Sequence, residues 1–378
     1  MIVFPRLLTD TIRQRLLESS KIIILYGPRQ VGKTTLIRSL LRDLPYKSLL
    51  INADELVYQT ILASRDLTQM KLLTEGYDLL FIDEAQRIAD IGINLKILHD
   101  GLPNLKIIAT GSSSFELANR TREPLTGRTW TYELWPVAVC ELRQQHNAFE
   151  LQQRLPELLR FGSYPDTLQL PNVTDKRHYL HELASAYLYK DILEMGSIRY
   201  ADKLRRLLQL LAFQIGSEVS TNELGNALGM SKDTVNTYID LLEKAFVIFR
   251  LSGFSRNLRK EVTKMDKIYF VDLGIRNMLI DNFQPLDLRN DVGALWENFL
   301  VAERHKRNAY TGHLATSYFW RTYTGAELDY VEDAHGQLSG FEFKFGNKQA
   351  GPPASWQTNY PEASFNLINQ TNFQSFVV

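Results

Sequence analysis

The tightest constraint on this chain's fold is local. An apolar run, IIILY (Ile22 to Tyr26), leads directly into the octapeptide GPRQVGKT (Gly27 to Thr34), which leads into the helix-like TLIRSLLRDL. A G-x-x-x-x-G-K-[ST] turn between a strand and a helix aims successive backbone N–H groups, and the positive end of the helix, at one point. A phosphate chain fits that point. The turn Gly27, Pro28, Arg29, Gln30, Val31, Gly32 would form the cradle, with the two glycines permitting the backbone angles and the close approach. Lys33 would carry charge to the β- and γ-phosphates of ATP. The Thr34 hydroxyl would ligate the bridging Mg2+, and Thr35 would complete the first helical turn at the nucleotide.

Four further runs read as buried or half-buried strands separated by helical patterns: SLLIN, YDLLFIDE, LKIIATG and TWTYEL. Strands alternating with helices call for an α/β fold with a parallel sheet covered on both faces. In YDLLFIDE the apolar run ends in Asp83 and Glu84, about fifty residues after the phosphate turn. Asp83 is expected to hold the magnesium and Glu84 to take a proton from the attacking water. An acid directly after the magnesium aspartate favours a hydrolysing ATPase over a GTP switch, which orients water with glutamine. After the next strand, Thr110, Ser112, Ser113 and Ser114 form a hydroxyl cluster, with Ser112 the expected γ-phosphate sensor. Arg120, Arg122 and Arg128 follow, and Arg128 is the expected arginine acting on a neighbouring subunit's nucleotide. That role requires a homo-oligomer with sites at subunit interfaces.

Composition narrows the setting. At 378 residues the chain can form two or three domains, and 44% hydrophobic with 23% charged residues is ordinary for a globular protein. No apolar stretch approaches the ~20 residues that span a bilayer, so no membrane partner is expected. The amino terminus does not read as a secretory signal. Cys140 is the only cysteine, which excludes an intrachain disulfide and fits a reducing cytoplasm. Forty-three basic residues against forty-three acidic ones give no global field towards nucleic acid, so any DNA contact must come from a local patch.

Taken together, GPRQVGKT, LLFIDEAQ, IATGSSS and LTGR resemble the prokaryotic AAA-type (P-loop) ATPases whose carboxy-terminal half is known only as a domain of unknown function. FGSYPD and YLYKDILE resemble segments that follow in that family. The resemblance implies ATP binding and an AAA-like core, and little about physiological role.

Four segments are expected: an AAA-type ATPase domain (1–140), a helical lid or linker (141–200), a winged helix-turn-helix (201–272) and a nuclease-like α/β domain (273–378). In the third, KLRRLLQLLAFQIG, STNELGNAL and KDTVNTYIDLLEKAF read as helices, with a Ser220/Glu223 capping box and Val235, Ile239 and Leu242 facing inward. FVIFRL and KIYFVD read as strands flanking a basic loop. In a winged helix the outer face of the second helix of the pair, here Lys232, Asp233, Asn236, Thr237 and Asp240, would enter a DNA major groove. From Arg250 to Lys267 six basic residues stand against two acidic ones.

In the fourth segment, Glu297 lies on a helix, and strand alternation puts Glu327 with Asp329, and Glu342 with Lys344, on single faces. Glu297, Asp329, Glu342 and Lys344 together resemble a PD-(D/E)xK nuclease core, in which two carboxylates hold a divalent ion and the lysine assists attack on a phosphodiester. The proline of that motif is absent: AEL precedes Asp329. Three functions stay open at this level. They are an oligomeric ATPase coupling nucleotide state to DNA engagement, an ATP-gated metal-dependent nuclease, and a non-catalytic regulator or scaffold docking a protein partner.

Overall fold

The computed structural model describes residues 4–112, 125–185, 201–256 and 265–378. Ser113, Ser114, Arg120, Arg122, the YLYKDILE segment and most of the basic loop lie outside them. The chain forms two compact units, Met1–Pro136 with Lys244–Phe246, and Val137–Glu243 with Val247–Val378.

The first unit is built on five parallel strands, β1 (Ile22–Tyr26), β2 (Ser48–Asn52), β3 (Leu79–Asp83), β4 (Lys106–Gly111) and β5 (Thr129–Glu133), in the order β2-β3-β4-β1-β5. The helices alongside are α1 (Leu8–Glu18), α2 (Lys33–Arg42), α3 (Leu56–Leu62), α4 (Leu67–Thr74) and α5 (Ile91–Gly101). This is the α/β architecture that alternating strands and helices called for. Every residue of β1 is buried, as are the four leucine, phenylalanine and isoleucine positions of β3, because the central strands carry helices on both faces. The edge strands β2 and β5 are mostly half-buried. Parallel pairing matches Tyr26 with Gly111 and Asn52 with Asp83, so the ends of β1, β2, β3 and β4 reach one edge of the sheet. Ligands of open parallel sheets collect at that carboxyl edge.

The second unit holds a mixed seven-stranded sheet: β6 (Glu218–Val219), β7 (Ile248–Gly253), β8 (Asp266–Phe270), β9 (Thr316–Arg321), β10 (Glu327–Ala334), β11 (Gln337–Phe343) and β12 (Ser364–Ile368), ordered β12-β11-β10-β9-β7-β8-β6. Its helices are α6 (Val139–Leu142), α7 (Ala148–Phe161), α8 (Val173–Leu183), α9 (Ala201–Phe213), α10 (Thr221–Leu228), α11 (Lys232–Lys244), α12 (Leu273–Leu279), α13 (Val292–Thr311), α14 (Ala354–Asn359) and α15 (Phe373–Val377). The boundaries expected at 200 and 272 fall inside this unit. The second of them is bridged by backbone pairing, because β7 runs parallel to β9 with Ser252 opposite Tyr318 and Gly253 opposite Phe319.

Two local devices tie the unit together. Between α10 and α11, Gly229 takes φ 59° to close the first helix, and a Cβ on Gly225 would lie 2.7 Å from the Met230 carbonyl oxygen, so α10 packs its glycine against the turn that leads into α11. Val235, Ile239 and Leu242 of α11 are buried as their spacing required, and Ser220 Oγ accepts the Glu223 N–H at 3.3 Å. The FGSYPD segment meets α12. Asp272 caps that helix through the Gly274 and Ile275 N–H groups and also accepts the Ser163 N–H at 2.7 Å. A Cβ on Gly162 would lie 2.0 Å from an Asp272 carboxylate oxygen, so only glycine fits there. Full burial pushes the Asp272 carboxyl upward despite these donors.

Candidate functional site

At the carboxyl edge of the first sheet, β1 ends in the octapeptide turn. Gly27 stands against β5's exit, where a Cβ would lie 2.1 Å from the Leu134 carbonyl oxygen. Gly32 takes φ 95° as the residue before α2, and Gln30 is also left-handed at φ 59°. The turn therefore presents backbone N–H groups at the start of a ten-residue helix, a ready anion site. Lys33 is buried and folds onto the turn, donating to the carbonyls of Gly27 at 2.7 Å and Pro28 at 2.8 Å.

Strand β3 brings the acidic pair to the same place. Asp83 Oδ2 accepts the Thr34 hydroxyl at 2.7 Å, and Oδ1 accepts the Thr110 hydroxyl at 2.5 Å and the Glu84 N–H at 3.2 Å. Thr34 and Asp83, expected to share a metal ion, are thus in direct contact. Their hard oxygen ligands suit Mg2+, which takes one or two protein oxygens and completes its shell with water and nucleotide phosphates. Glu84 sits in the left-handed region at φ 54° and ψ 39°, an uncommon conformation for a residue with a side chain, and its carboxylate accepts a hydrogen bond from Gln86. Ser112 is buried just beyond β4, beside this edge. Pro28, Arg29, Val31 and Thr35 lie in the turn and the first turn of α2.

Of three supporting residues, only Arg6 lies outside every motif; Thr110 belongs to the hydroxyl cluster and Gln86 to LLFIDEAQ. Arg6 donates to the Val31 carbonyl at 2.7 Å and the Trp135 carbonyl at 2.6 Å, bracing the turn against the segment after β5. Thr110 and Gln86 orient Asp83 and Glu84. Thr110 could be picked out from its place at the end of a strand next to β3; Arg6 gives no signal because its partners are backbone atoms far along the chain.

Arg128 lies at the opposite edge. Its carbonyl accepts the N–H of Ile22, the first residue of β1, so a strand length of roughly 16 Å separates it from the octapeptide turn. Its guanidinium grips Asp100 bidentately, Nε at 2.9 Å and Nη2 at 3.0 Å. That fork, helped by His99, holds the Asp100 carboxyl down at about 2.

In the second unit, the sheet draws Glu297, Asp329, Glu342 and Lys344 into one neighbourhood. Burial, with the Glu297 and Glu342 carboxylates nearby, pushes Asp329 up to about 8. Two residues that no motif marked complete the cluster from β8. Lys267 Nζ donates to Glu297 Oε1 at 3.0 Å, and the Tyr269 hydroxyl donates to the same oxygen at 2.7 Å. Asp329 Oδ2 accepts the Phe343 N–H at 2.7 Å, and Glu342 Oε1 accepts Lys344 Nζ at 2.5 Å. Among the described residues no three acidic, histidine or cysteine side chains converge to hold a metal ion. With the buried Lys267 ammonium bonded to Glu297, the set as it stands does not fit a divalent ion.

The AAA domain family matches residues 19–143. Two families described as domains of unknown function follow, DUF8612 at 152–286 and DUF4143 at 292–360. An uncharacterized protein of Mycobacterium tuberculosis is 30% identical over 336 residues, covering 88% of this chain and 72% of that protein. The chain belongs to the AAA-type P-loop ATPase family. Another relative of this AAA-type protein, an uncharacterized protein of Methanocaldococcus jannaschii, is 24% identical over 76% of this chain and 67% of its own length. Among solved structures, a Walker-type ATPase of Pyrococcus abyssi superposes with a TM-score of 0.49 at 16% identity, over 74% of this chain and 96% of that one. AMPPCP-bound DnaA of Aquifex aeolicus superposes at 0.33 and 16% identity, over 65% and 90%. No helix among the described residues is long and apolar enough to cross a membrane.

Proposed function

We propose that this AAA-type protein binds ATP with Mg2+ in the octapeptide turn and hydrolyses it. The observation that carries the reading is the meeting of Thr34, Asp83 and Thr110 at the mouth of that turn, with Glu84 one residue further on. In this reading the turn amides and Lys33 hold the phosphates, and Lys33 exchanges its contacts with the Gly27 and Pro28 carbonyls for phosphate oxygens. Thr34 and Asp83 would hold the ion, which when bound would supply neutralisation of phosphate charge. Glu84 accepts the proton of the attacking water and Ser112 contacts the γ-phosphate. Arg128, facing away from its own turn, reaches a neighbouring copy's nucleotide, so the active unit is a homo-oligomer. A cytoplasmic setting fits the single, buried Cys140, whose thiol burial pushes up to about 12.

The second unit is proposed to read nucleotide state out as DNA engagement. Helix–strand–helix–helix–strand–strand from α9 to β8 is the element order of a winged helix, and Lys232, Asp233, Thr237 and Asp240 are exposed on α11. Asp240 and Glu243 both pair with Arg250, which withdraws one cation from phosphate contact. DNA binding by a single copy is therefore weak and strongly salt dependent, and grows with the number of copies on one DNA. The test is ATP turnover with and without duplex DNA at low salt. Stimulation by DNA supports coupling; no DNA retention at low salt, with a stable protein partner recovered instead, favours the docking reading.

A further inference from the structure

The cluster in the second unit has the residue types of a metal-dependent nuclease, yet its interior contains a cation already. Lys267 is 6% exposed, so its ammonium cannot be satisfied by bulk water. It bonds Glu297 Oε1, the same oxygen that receives the Tyr269 hydroxyl. A divalent ion on Glu297 Oε1 would compete with both donors, and an ion on either carboxylate oxygen would bring two positive charges next to a buried ammonium. One oxygen of each remaining acid also has a partner. The backbone of Phe343 holds Asp329, and Lys344, two residues along the same chain, holds Glu342.

The origin of Lys267 matters as much as its chemistry. Alternation along β8 puts Lys267 and Tyr269 on one face, turned towards α13, where Glu297 sits. Strand β8 forms with β7 the hairpin that follows the α10–α11 helix pair, whereas Glu297, Asp329 and Glu342 come from α13, β10 and β11. Gly216, just before β6, leaves room for this arrangement: a Cβ there would lie 3.2 Å from Glu297 Oε2. One element of the unit thus supplies the cation and three others supply the acids.

We infer that the Lys267 ammonium is the resident cation of the Glu297, Asp329 and Glu342 cluster, so that the carboxy-terminal half works without a divalent ion and cleaves no phosphodiester. The cluster is a clasp between the hairpin and α13. This inference stands apart from the ATPase reading, because nothing in it passes through the nucleotide site.

The test uses the full chain without nucleotide, so that no phosphate helps to hold an ion at Thr34 and Asp83, and Mn2+ as the probe, counted by the loss of its free electron paramagnetic signal. Wild type and Glu342→Gln should bind Mn2+ indistinguishably. Lys267→Met should gain one ion per chain, and adding Glu342→Gln to it should weaken that site roughly 10–100-fold. Plasmid incubated with Mn2+ and wild type should be nicked no faster than with Asp329→Ala. A wild-type Mn2+ site that Glu342→Gln removes, or nicking that Asp329→Ala abolishes, overturns the inference. So does a folded Lys267→Met that gains no ion. The comparison of wild type with Glu342→Gln decides the matter even if Lys267→Met fails to fold.

Discussion

Asp83 shows how one side chain is set for a task by its neighbours. Both of its oxygens are taken by hydroxyls, Thr34 from α2 and Thr110 from β4, so the carboxylate cannot rotate away from the phosphate turn. Replacing Thr110 by valine keeps the shape and removes one donor. ATP turnover should fall roughly 10–100-fold, the usual effect of losing an orienting hydrogen bond, while ATP affinity measured by equilibrium dialysis changes little. Asp329 gives a prediction in pH. Its value in the fold is about 8 against an ordinary 3.8. Between those limits the folded chain keeps a proton that the unfolded chain has lost. The stability is therefore fully present below about pH 4 and declines as pH rises through about 8. Asp329→Asn should flatten the melting temperature of the second unit over that window, read by calorimetry at a series of pH values. The nucleotide site was largely legible because its code is contiguous: GPRQVGKT and FIDE each sit at the end of a strand. Arg6 and Lys267 were not, since each acts through a partner that only the fold brings near.

At the scale of elements, the first sheet follows from its sequence because strand runs such as IIILY and LLFID are apolar throughout and separated by helical periodicity. The second sheet defeats that reasoning at one place. The pairing of β7 with β9 joins segments more than sixty residues apart through two residue pairs, and no local pattern announces it. A boundary at residue 272, set after the strand KIYFVD, therefore falls within one sheet. The alternation in KIYFVD could have flagged Lys267 and Tyr269 as sharing a face, but not what lies opposite. The clasp they form joins the buried Lys267 to a half-buried Glu297, and removing one partner strands the other's charge. Lys267→Met should cost about 3–5 kcal/mol in chemical denaturation of the second unit. A loss within experimental error would mean that Glu297 finds water instead.

For the whole molecule, the proposed role of Arg128, set apart from its own phosphate turn, is what calls for more than one copy. If Arg128 acts across an interface, Arg128→Ala should keep ATP binding and lower turnover by about 10³–10⁵. Mixing it with Lys33→Ala should then restore part of the activity, because intact turns can face intact arginines from the other variant. No recovery on mixing, with both variants folded and assembled, would leave Arg128 as the partner of Asp100 alone. The central claim is more basic, that the octapeptide turn and the acidic pair together bind and hydrolyse ATP. It is tested most directly by measuring ATP binding and steady-state ATP turnover side by side for wild type, Lys33→Ala and Glu84→Gln in the presence of Mg2+. The expected result is no binding by Lys33→Ala, and binding without turnover by Glu84→Gln. Turnover at the wild-type rate in both variants would contradict the account.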